Sequence, residues 1–326
     1  MFPHGNNVAD LIPCVCGGFN QSNSLFGHIA IPIKRLAIYG IDHPPMIQRN
    51  SGILWIAAYP RSGNTWTRLF VCNLASLLAG VQEEQNFNTF LRHSPWDAHA
   101  EHYRKYITLE SLEGEKTIRE IASVRHLVQK DFAEKSPDLV FAKTHWLLGK
   151  AFGQETFDFS VTAGAIYCVR NPLDVAISLA RHLDQSVDYA IKFMGTPNAF
   201  IATDLLGSWT ENVKSWTESP GPDICIVRYE DLINDPELWF SVIAQHVFSP
   251  APTKAQIADA IARSSFQRLQ AQEAEHGYFD YPDKAKKFFR EGRPGQWKTI
   301  LTAPQIHRIV LDHGALMTRF GYLPLH

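Results

Sequence analysis

The stretch GILWIAAYPRSGNTW, residues 52–66, decides how the chain folds. Residues 53–58 form a short, near-continuous apolar run, the pattern of a strand buried on both faces. After Trp66 the period changes: Trp66, Leu69, Phe70, Leu74, Leu77 and Leu78 fall on one stripe of a 3.6-residue helix. Residues 59–66 therefore turn a buried strand into a helix, and Gly63 permits a tight or positive-φ backbone there. The N–H groups of Gly63, Asn64, Thr65 and Trp66 then point out of a helix N-terminus, where backbone donors and the helix dipole hold anions. Arg61 adds a formal positive charge at the same spot. Taken alone, the stretch fits an ordinary strand–helix turn with a surface arginine equally well.

The chain has 326 residues, 45% hydrophobic and 20% charged, enough to bury a substantial core. Its net charge of −2 argues against a general nucleic-acid binder, which carries a broadly basic balance. That charge still leaves room for a local cluster of Lys and Arg around an anionic ligand. No run approaches the roughly 18 uninterrupted apolar residues of a membrane span. The first 50 residues lack the charged start and apolar core of a secretory signal. Five cysteines do not suggest a disulfide framework. Cys72, Cys168 and Cys225 fall in predicted helix or strand and read as small buried apolar residues. Cys14 and Cys16 could bind a metal but have no second pair nearby, and His99 and His102 have a possible metal spacing without a third ligand at a defined offset. The expectation is a cytoplasmic protein without a metal.

Residues 1–50, punctuated by Gly, Asn, Ser and Pro, read as an N-terminal extension or partly ordered arm. Over 51–326, buried-strand patterns at 53–58, 139–143, 165–169 and 224–227 alternate with helical ones at 65–79, 172–183, 203–219, 236–247, 254–262 and 304–319. This alternation predicts an α/β fold, a single domain with a central parallel sheet and helices on both faces. Segments 80–137 and 181–206 are longer than connections need be and read as lids and specificity loops. Ligands bind such sheets at the carboxyl ends of the strands, and the four predicted strands end at Arg61, Lys143, Arg170 and Arg228.

Each strand end suggests chemistry. In FAKTH (141–145), Lys143 and His145 lie two apart and can point to one side. Histidine takes a proton near neutral pH and a neighbouring cation disfavours its charged form, while lysine can neutralise charge on a transferred group; a histidine that merely holds a loop is the competing reading. In CVRNPLDVAIS (168–178), Asn171 can cap a helix and Pro172 suits its first position. Arg170 and Ser178 then form a way to hold a second phosphate, the competing reading being a surface ion pair. FFREGRPGQWK (288–298) reads as a loop over something flat and anionic, or as a solvated basic loop.

Together, in order and across most of 51–326, these segments resemble the sulfotransferases that use 3′-phosphoadenosine 5′-phosphosulfate (PAPS). The resemblance implies a P-loop-like sheet, with YPRSGNTW (59–66) as the 5′-phosphosulfate loop and KTH carrying the catalytic His145. It assigns the 5′ site to Arg61, Ser62, Gly63, Asn64, Thr65 and Trp66. Arg170, Ser178 and Arg290 fall at the 3′-phosphate, with Tyr229 and Gly292 also at cofactor positions. Ser264 and Phe266, with Phe289 in the closing loop, match the adenine-contact and loop motifs. PAPS enters as co-substrate, without a metal, and the acceptor is a small molecule, glycan or natural product bearing a hydroxyl or amine. Arg61 stands where the family usually has Lys, and Glu291 replaces a usual Lys. The family's dimer signature, here Lys298, Thr302, Ala303 and His307, lacks its usual Val and Glu. The rival readings are a P-loop nucleotide kinase and a non-catalytic nucleotide-binding protein on the same fold. Against the kinase, residues 59–66 lack the Gly-x4-Gly-Lys-Ser/Thr pattern; against the second, His145 and Lys143 are intact.

Overall fold

Apolar runs buried on both faces make the centre of the molecule a four-stranded parallel sheet. The computed structural model describes residues 47, 50–112, 114–218, 221–280 and 287–324, so almost all of the expected N-terminal extension, with Cys14 and Cys16, lies outside the described residues. In chain order the main elements are β1 (Gly52–Ala58), α1 (Asn64–Leu78), α2 (Glu115–Ala133), β2 (Leu139–Thr144), β3 (Thr162–Val169), α3 (Pro172–Leu183), α4 (Trp209–Glu218), β4 (Ile224–Arg228), α5 (Pro236–Val247), α6 (Lys254–Arg263), α7 (Phe266–His276) and α8 (Ala303–Arg319). The sheet order is β2-β1-β3-β4 with every pairing parallel. The four expected strands are these four. All eight residues of β3 are buried, as a central strand under helices on both faces requires.

The two helical layers meet the sheet through aromatic side chains. On one face Phe70 of α1 lies 4.2 Å, centroid to centroid, from Phe240 of α5, and α6 packs on both helices. On the other, Trp216 of α4 stacks on Tyr167 of β3 at 5.8 Å, and Phe157 bridges Trp216 to Trp55 of β1 at 5.0 Å on each side. Cys72, Cys168 and Cys225 are buried free thiols, as their positions predicted. No helix among the described residues is long and apolar enough to cross a membrane.

Two stretches differ from the sequence reading. Segment 80–137 is not lid throughout, because α2 within it is a crossover helix packed on β1 and β2. Its buried stripe, Thr117, Ile118, Ile121, Ala122, Arg125, Val128, Gln129 and Phe132, has helical spacing, but its polar members disguise it. Arg125 is nonetheless fully buried, bonded to Asp97 (2.8 Å), Tyr103 (3.0 Å) and the Thr156 carbonyl (3.1 Å), with its guanidinium 4.0 Å from the Trp146 ring centroid. The helix expected over 203–219 begins only at Trp209, because 200–205 forms a short antiparallel hairpin instead.

Phe240 is fully buried between Phe70 and Trp66. Phe240→Ala should therefore lower unfolding free energy by about 3–5 kcal/mol, read as a reduced urea midpoint at unchanged m-value. A loss below about 1 kcal/mol would show that this layer does not hold α1 in place.

Candidate active site

The turn after β1 departs from ordinary backbone twice, with φ of 69° at Arg61 and 107° at Gly63. A Cβ on Gly63 would lie 2.8 Å from the Tyr229 ring and 3.2 Å from the Cys168 sulfur, so only glycine lets the chain pass. Asn64 then ties the start of α1 to the sheet: its amide donates to the carbonyls of Ile56 (2.6 Å) and Thr144 (3.2 Å), at the ends of β1 and β2. The first turn of α1 has no acidic residue and no side-chain cap. Its N–H groups and dipole are thus available to an anion. Thr65 shares a hydrogen bond with the Tyr278 hydroxyl (3.1 Å), and Trp66 stands edge-on to Tyr229 at 6.0 Å.

Lys143 and His145 sit at the end of β2, both buried. His145 Nδ1 is 2.7 Å from the Ala58 carbonyl. A carbonyl only accepts, so Nδ1 carries the proton and the neutral ring leaves Nε2 as a base. Burial, with Lys143 beside it, holds the His145 pKa well below the ordinary imidazole value. Burial also pushes Lys143 down to about 8, against the opposing pull of Asp280. The Lys143 ammonium lies 3.2 Å from the centroid of the Trp96 ring, which also stands edge-on to His145 at 5.9 Å. Backbone pairing of 95–97 with Lys143 holds Trp96 there.

Arg170, at the end of β3, donates to the Arg61 carbonyl (2.9 Å) and lays its guanidinium 4.5 Å from the Tyr229 ring centroid. Its buried Nε has no hydrogen-bond partner among the described residues. Arg61 donates through Nε to Ser178 (3.1 Å), while its guanidinium covers the Phe288 ring at 4.4 Å. The loop containing Phe288 is pinned from three elements. Glu273 accepts from the N–H groups of Phe288 (2.6 Å) and Phe289 (3.0 Å), Tyr229 donates to the Gly292 carbonyl (2.8 Å), and Asp174 accepts from the N–H groups of Gly295 (2.7 Å) and Trp297 (3.0 Å). Gly292, at φ 63°, passes so close to Phe266 that a Cβ would lie 2.7 Å from that ring.

One cavity of about 220 Å³ collects Arg61, Gly63, Asn64, Thr65, Trp66, Lys143, His145, Arg170, Ser178, Tyr229, Phe266, Phe289, Arg290 and Gly292. Two sequence candidates are not in its wall. Ser62 is fully buried in the turn, where its carbonyl accepts from the Cys168 thiol (2.8 Å), and the buried Ser264 hydroxyl donates to the Ala260 carbonyl of its own helix. Nor does Arg228 join the rim: its guanidinium lies 4.8 Å from the Tyr322 ring centroid and its Nε 3.8 Å from Asp231. Register explains this. Val169 pairs with Arg228, which sets Arg170 level with Tyr229, and one residue along a strand changes the face. Sequence reasoning missed Trp96, Asp204, Tyr278 and Asp280 in the cavity wall, because they come from the long insertions or follow α7 with no motif to mark them. His99 and His102 stack at 5.9 Å, and burial pushes His102 down to about 4.

The family model described as the sulfotransferase domain matches residues 52–321. Human sulfotransferase 2B1 is 26% identical over 294 residues, spanning 86% of this chain and 71% of its own length. Bovine sulfotransferase 1E1 is 26% identical over 294 residues, 85% of this chain and 88% of its own. Among solved structures, retinol dehydratase in complex with retinol and PAP matches with TM-score 0.56 at 17% identity, over 90% of this chain and 87% of that one. Mouse sulfotransferase SULT7A1 complexed with PAP matches with TM-score 0.52 at 14% identity, over 90% and 96%. At those identities the structural likeness speaks for the fold.

The close approach of the turn to Tyr229 is testable at Gly63. Gly63→Ala puts a Cβ against Tyr229 at a positive φ, and should destabilise the protein by at least about 1–3 kcal/mol. A urea midpoint equal to the parent's would overturn the close-approach reading.

Proposed function

Because this chain belongs to the sulfotransferase domain family, we propose that it transfers a sulfuryl group from PAPS to a hydroxyl or amine of a small-molecule, glycan or natural-product acceptor. The observation that carries the reading is the His145 Nδ1 bond to Ala58, which leaves Nε2 basic in a cavity shared with Lys143, Arg61 and Arg170. The cavity also suits the co-substrate. The uncapped start of α1 offers N–H groups to a 5′-phosphosulfate, and Gly63 and Gly292 let backbone approach where a Cβ would intrude. Buried donors at Arg170 Nε and Trp66 Nε1 lack protein partners among the described residues, and a nucleotide phosphate or base can satisfy them.

In this mechanism His145 Nε2 removes the proton of the acceptor hydroxyl as its oxygen attacks sulfur. The bond from sulfur to the bridging oxygen of the 5′-phosphate breaks, and the leaving bisphosphate carries away the electron pair. Lys143 and Arg61 stabilise charge on the sulfuryl group and the bridging oxygen, a preorganised field in a water-poor site. Arg170, Ser178 and Arg290 hold the 3′-phosphate, and Trp66 and Phe266 pack on adenine. Arg61 and Ser178, assigned to the two anion positions, are bonded to each other in the same cavity.

Adenosine 3′,5′-bisphosphate without magnesium should raise the melting temperature by several degrees, since about 100 times its Kd contributes roughly 2.7 kcal/mol. Arg170→Ala should weaken its binding about ten- to hundredfold. A larger shift with magnesium–ATP, together with an unaltered bisphosphate shift in Arg170→Ala, would replace this reading with a kinase.

A second outcome concerns pH. His145 stays neutral to well below pH 6.5, while Lys143 is charged only below about 8. With an aliphatic alcohol acceptor, kcat/KM for PAPS, which reports the free enzyme, should be level near neutrality and fall as pH rises past about 8. Lys143→Arg keeps its charge and should lose that alkaline fall, at whatever reduced rate. An alkaline limb identical in the variant would remove Lys143 as its source. His145→Ala should bind the bisphosphate as the parent does and lose roughly 10²–10⁴ in turnover.

A further inference from the structure

A hairpin borders the cavity beside Lys143 and belongs to none of the anion-binding motifs. Its strands, Phe200–Ile201 and Asp204–Leu205, pair antiparallel with Ile201 directly opposite Asp204. Cross-strand partners share a face, and alternation puts Leu206 on that face and Leu205 on the other. The hairpin residues in the cavity wall are indeed Ile201, Asp204 and Leu206. Its backbone is held in place: Trp146 donates to the Thr203 carbonyl (3.0 Å), Leu147 to the Leu205 carbonyl (3.1 Å), and the Thr203 hydroxyl to the Ala98 carbonyl. Asp204 therefore meets the cavity from a fixed backbone.

Asp204 is only 5% exposed, and its Oδ1 has no hydrogen-bond partner among the described residues. Buried carboxyl oxygens seldom go unpaired, and one that does so in a cavity wall marks a place for a ligand group. The neighbouring Asp97 accepts from Arg125 through Oδ2 at 2.8 Å and, unlike Asp204, does not line the cavity. Burial, reinforced by Asp97, pushes the Asp204 carboxyl well above the usual carboxylate range. An incoming hydrogen-bond donor or cation favours the ionised carboxylate and opposes that shift, whereas the anionic phosphates of the co-substrate repel it. Besides Lys143, whose charge acts on Asp204, the cavity wall includes the Trp96 ring, Ile201 and Leu206.

Resting on the sulfotransferase reading, we infer that Asp204 selects the acceptor: it binds a second hydrogen-bond donor, a hydroxyl or an ammonium, on a molecule whose reacting hydroxyl lies at His145. Trp96, Ile201 and Leu206 cover the carbon skeleton between the two polar groups. An acceptor without the second donor leaves the carboxyl oxygen unpaired, and sites built to hydrogen-bond a substrate group discriminate strongly against analogues that lack it.

The experiment compares matched acceptors with saturating PAPS: 4-ethylphenol, tyrosol and tyramine on one scaffold, and octanol, octanediol and aminooctanol on the other. Tyrosol or tyramine should exceed 4-ethylphenol by at least about tenfold in kcat/KM, or the diol or amino alcohol should exceed octanol by as much. The preferred tail tells a hydroxyl from an ammonium. Asp204→Leu should bring that ratio close to one while the melting shift with adenosine 3′,5′-bisphosphate persists. Asp204→Asn keeps an acceptor oxygen and should retain preference for the hydroxyl tail over the alkyl one. The ratio within one preparation is insensitive to the fraction folded, so a merely structural role would not move it. Should Asp204→Leu fail to fold, Asp204→Asn and the parent's own ratio decide. A parent ratio near one, a ratio unchanged in Asp204→Leu, or turnover of no polar-tailed acceptor with bisphosphate binding intact would overturn the inference and leave the family reading standing. Absence of both bisphosphate stabilisation and any sulfated product would instead sink the sulfotransferase reading.

Discussion

Everything at the site depends on how closely the backbone at Gly63 approaches Tyr229 and Cys168. Because no Cβ intervenes, α1 begins directly above the ends of β1 and β3 rather than a side chain's width away. The Asn64 amide, bonded to Ile56 and Thr144 carbonyls, then locks that position across β1 and β2. A helix N-terminus and the basic residues Arg61, Lys143 and Arg170, at or just after the ends of three strands, converge as a consequence. The uncapped start of α1 is thus positioned by backbone spacing before any charged side chain contributes.

The cations around this point are treated differently according to their chemistry. Arg68 and Arg125 are fully buried, and their planar forks are used up on protein groups. Arg68 bonds Ser94 (2.8 Å), Asp280 (2.7 Å) and the Leu91 carbonyl (3.0 Å), so helix α1 holds segment 91–94 and residue 280 against the cavity. Arginine keeps its charge when buried and can satisfy several acceptors at once. Lys143 has an aromatic face over its ammonium, and burial lowers its pKa to about 8. A lysine so placed is a charge that responds to what enters the cavity. The two buried arginines thus keep fixed protein partners, while the Lys143 charge is sensitive to its surroundings.

Arg61 joins three parts of the site. Its carbonyl receives Arg170, its Nε reaches Ser178, and its guanidinium face lies on Phe288. A lysine in its place has no planar face or Nε fork with which to make the last two contacts together. The loop bearing Phe288 is itself anchored to α3, α7 and Tyr229, so the closing side of the cavity is referred to the same few elements as the floor. Glu291, where a cation was expected from the resemblance, pairs with Arg293 at 2.9 Å and stands 3.9 Å from Arg181.

Local signals carried much of this in the sequence. Four apolar runs specify the strands because a strand buried on both faces must be apolar throughout, and the change of period at Trp66 specifies the strand–helix turn. Motif residues after the strands, such as Arg61, Lys143 and Arg170, and those of the loop around Gly292 were legible because a short segment encodes both the bend and the residue types. Tertiary structure alone decided the rest. Register made Tyr229, not Arg228, the partner of Arg170, since pairing between strands distant in sequence sets which face a residue meets. Helix α2 was hidden because Arg125 and Gln129 are polar on an apolar stripe, and only the Asp97, Tyr103 and Thr156 groups folded around Arg125 make its burial tolerable. Trp96 and Asp204, from the long insertions, and Asp280, after α7, likewise acquire meaning only where the chain folds back beside Lys143. No local pattern encodes such long-range juxtaposition; it is set by the packing of the whole chain.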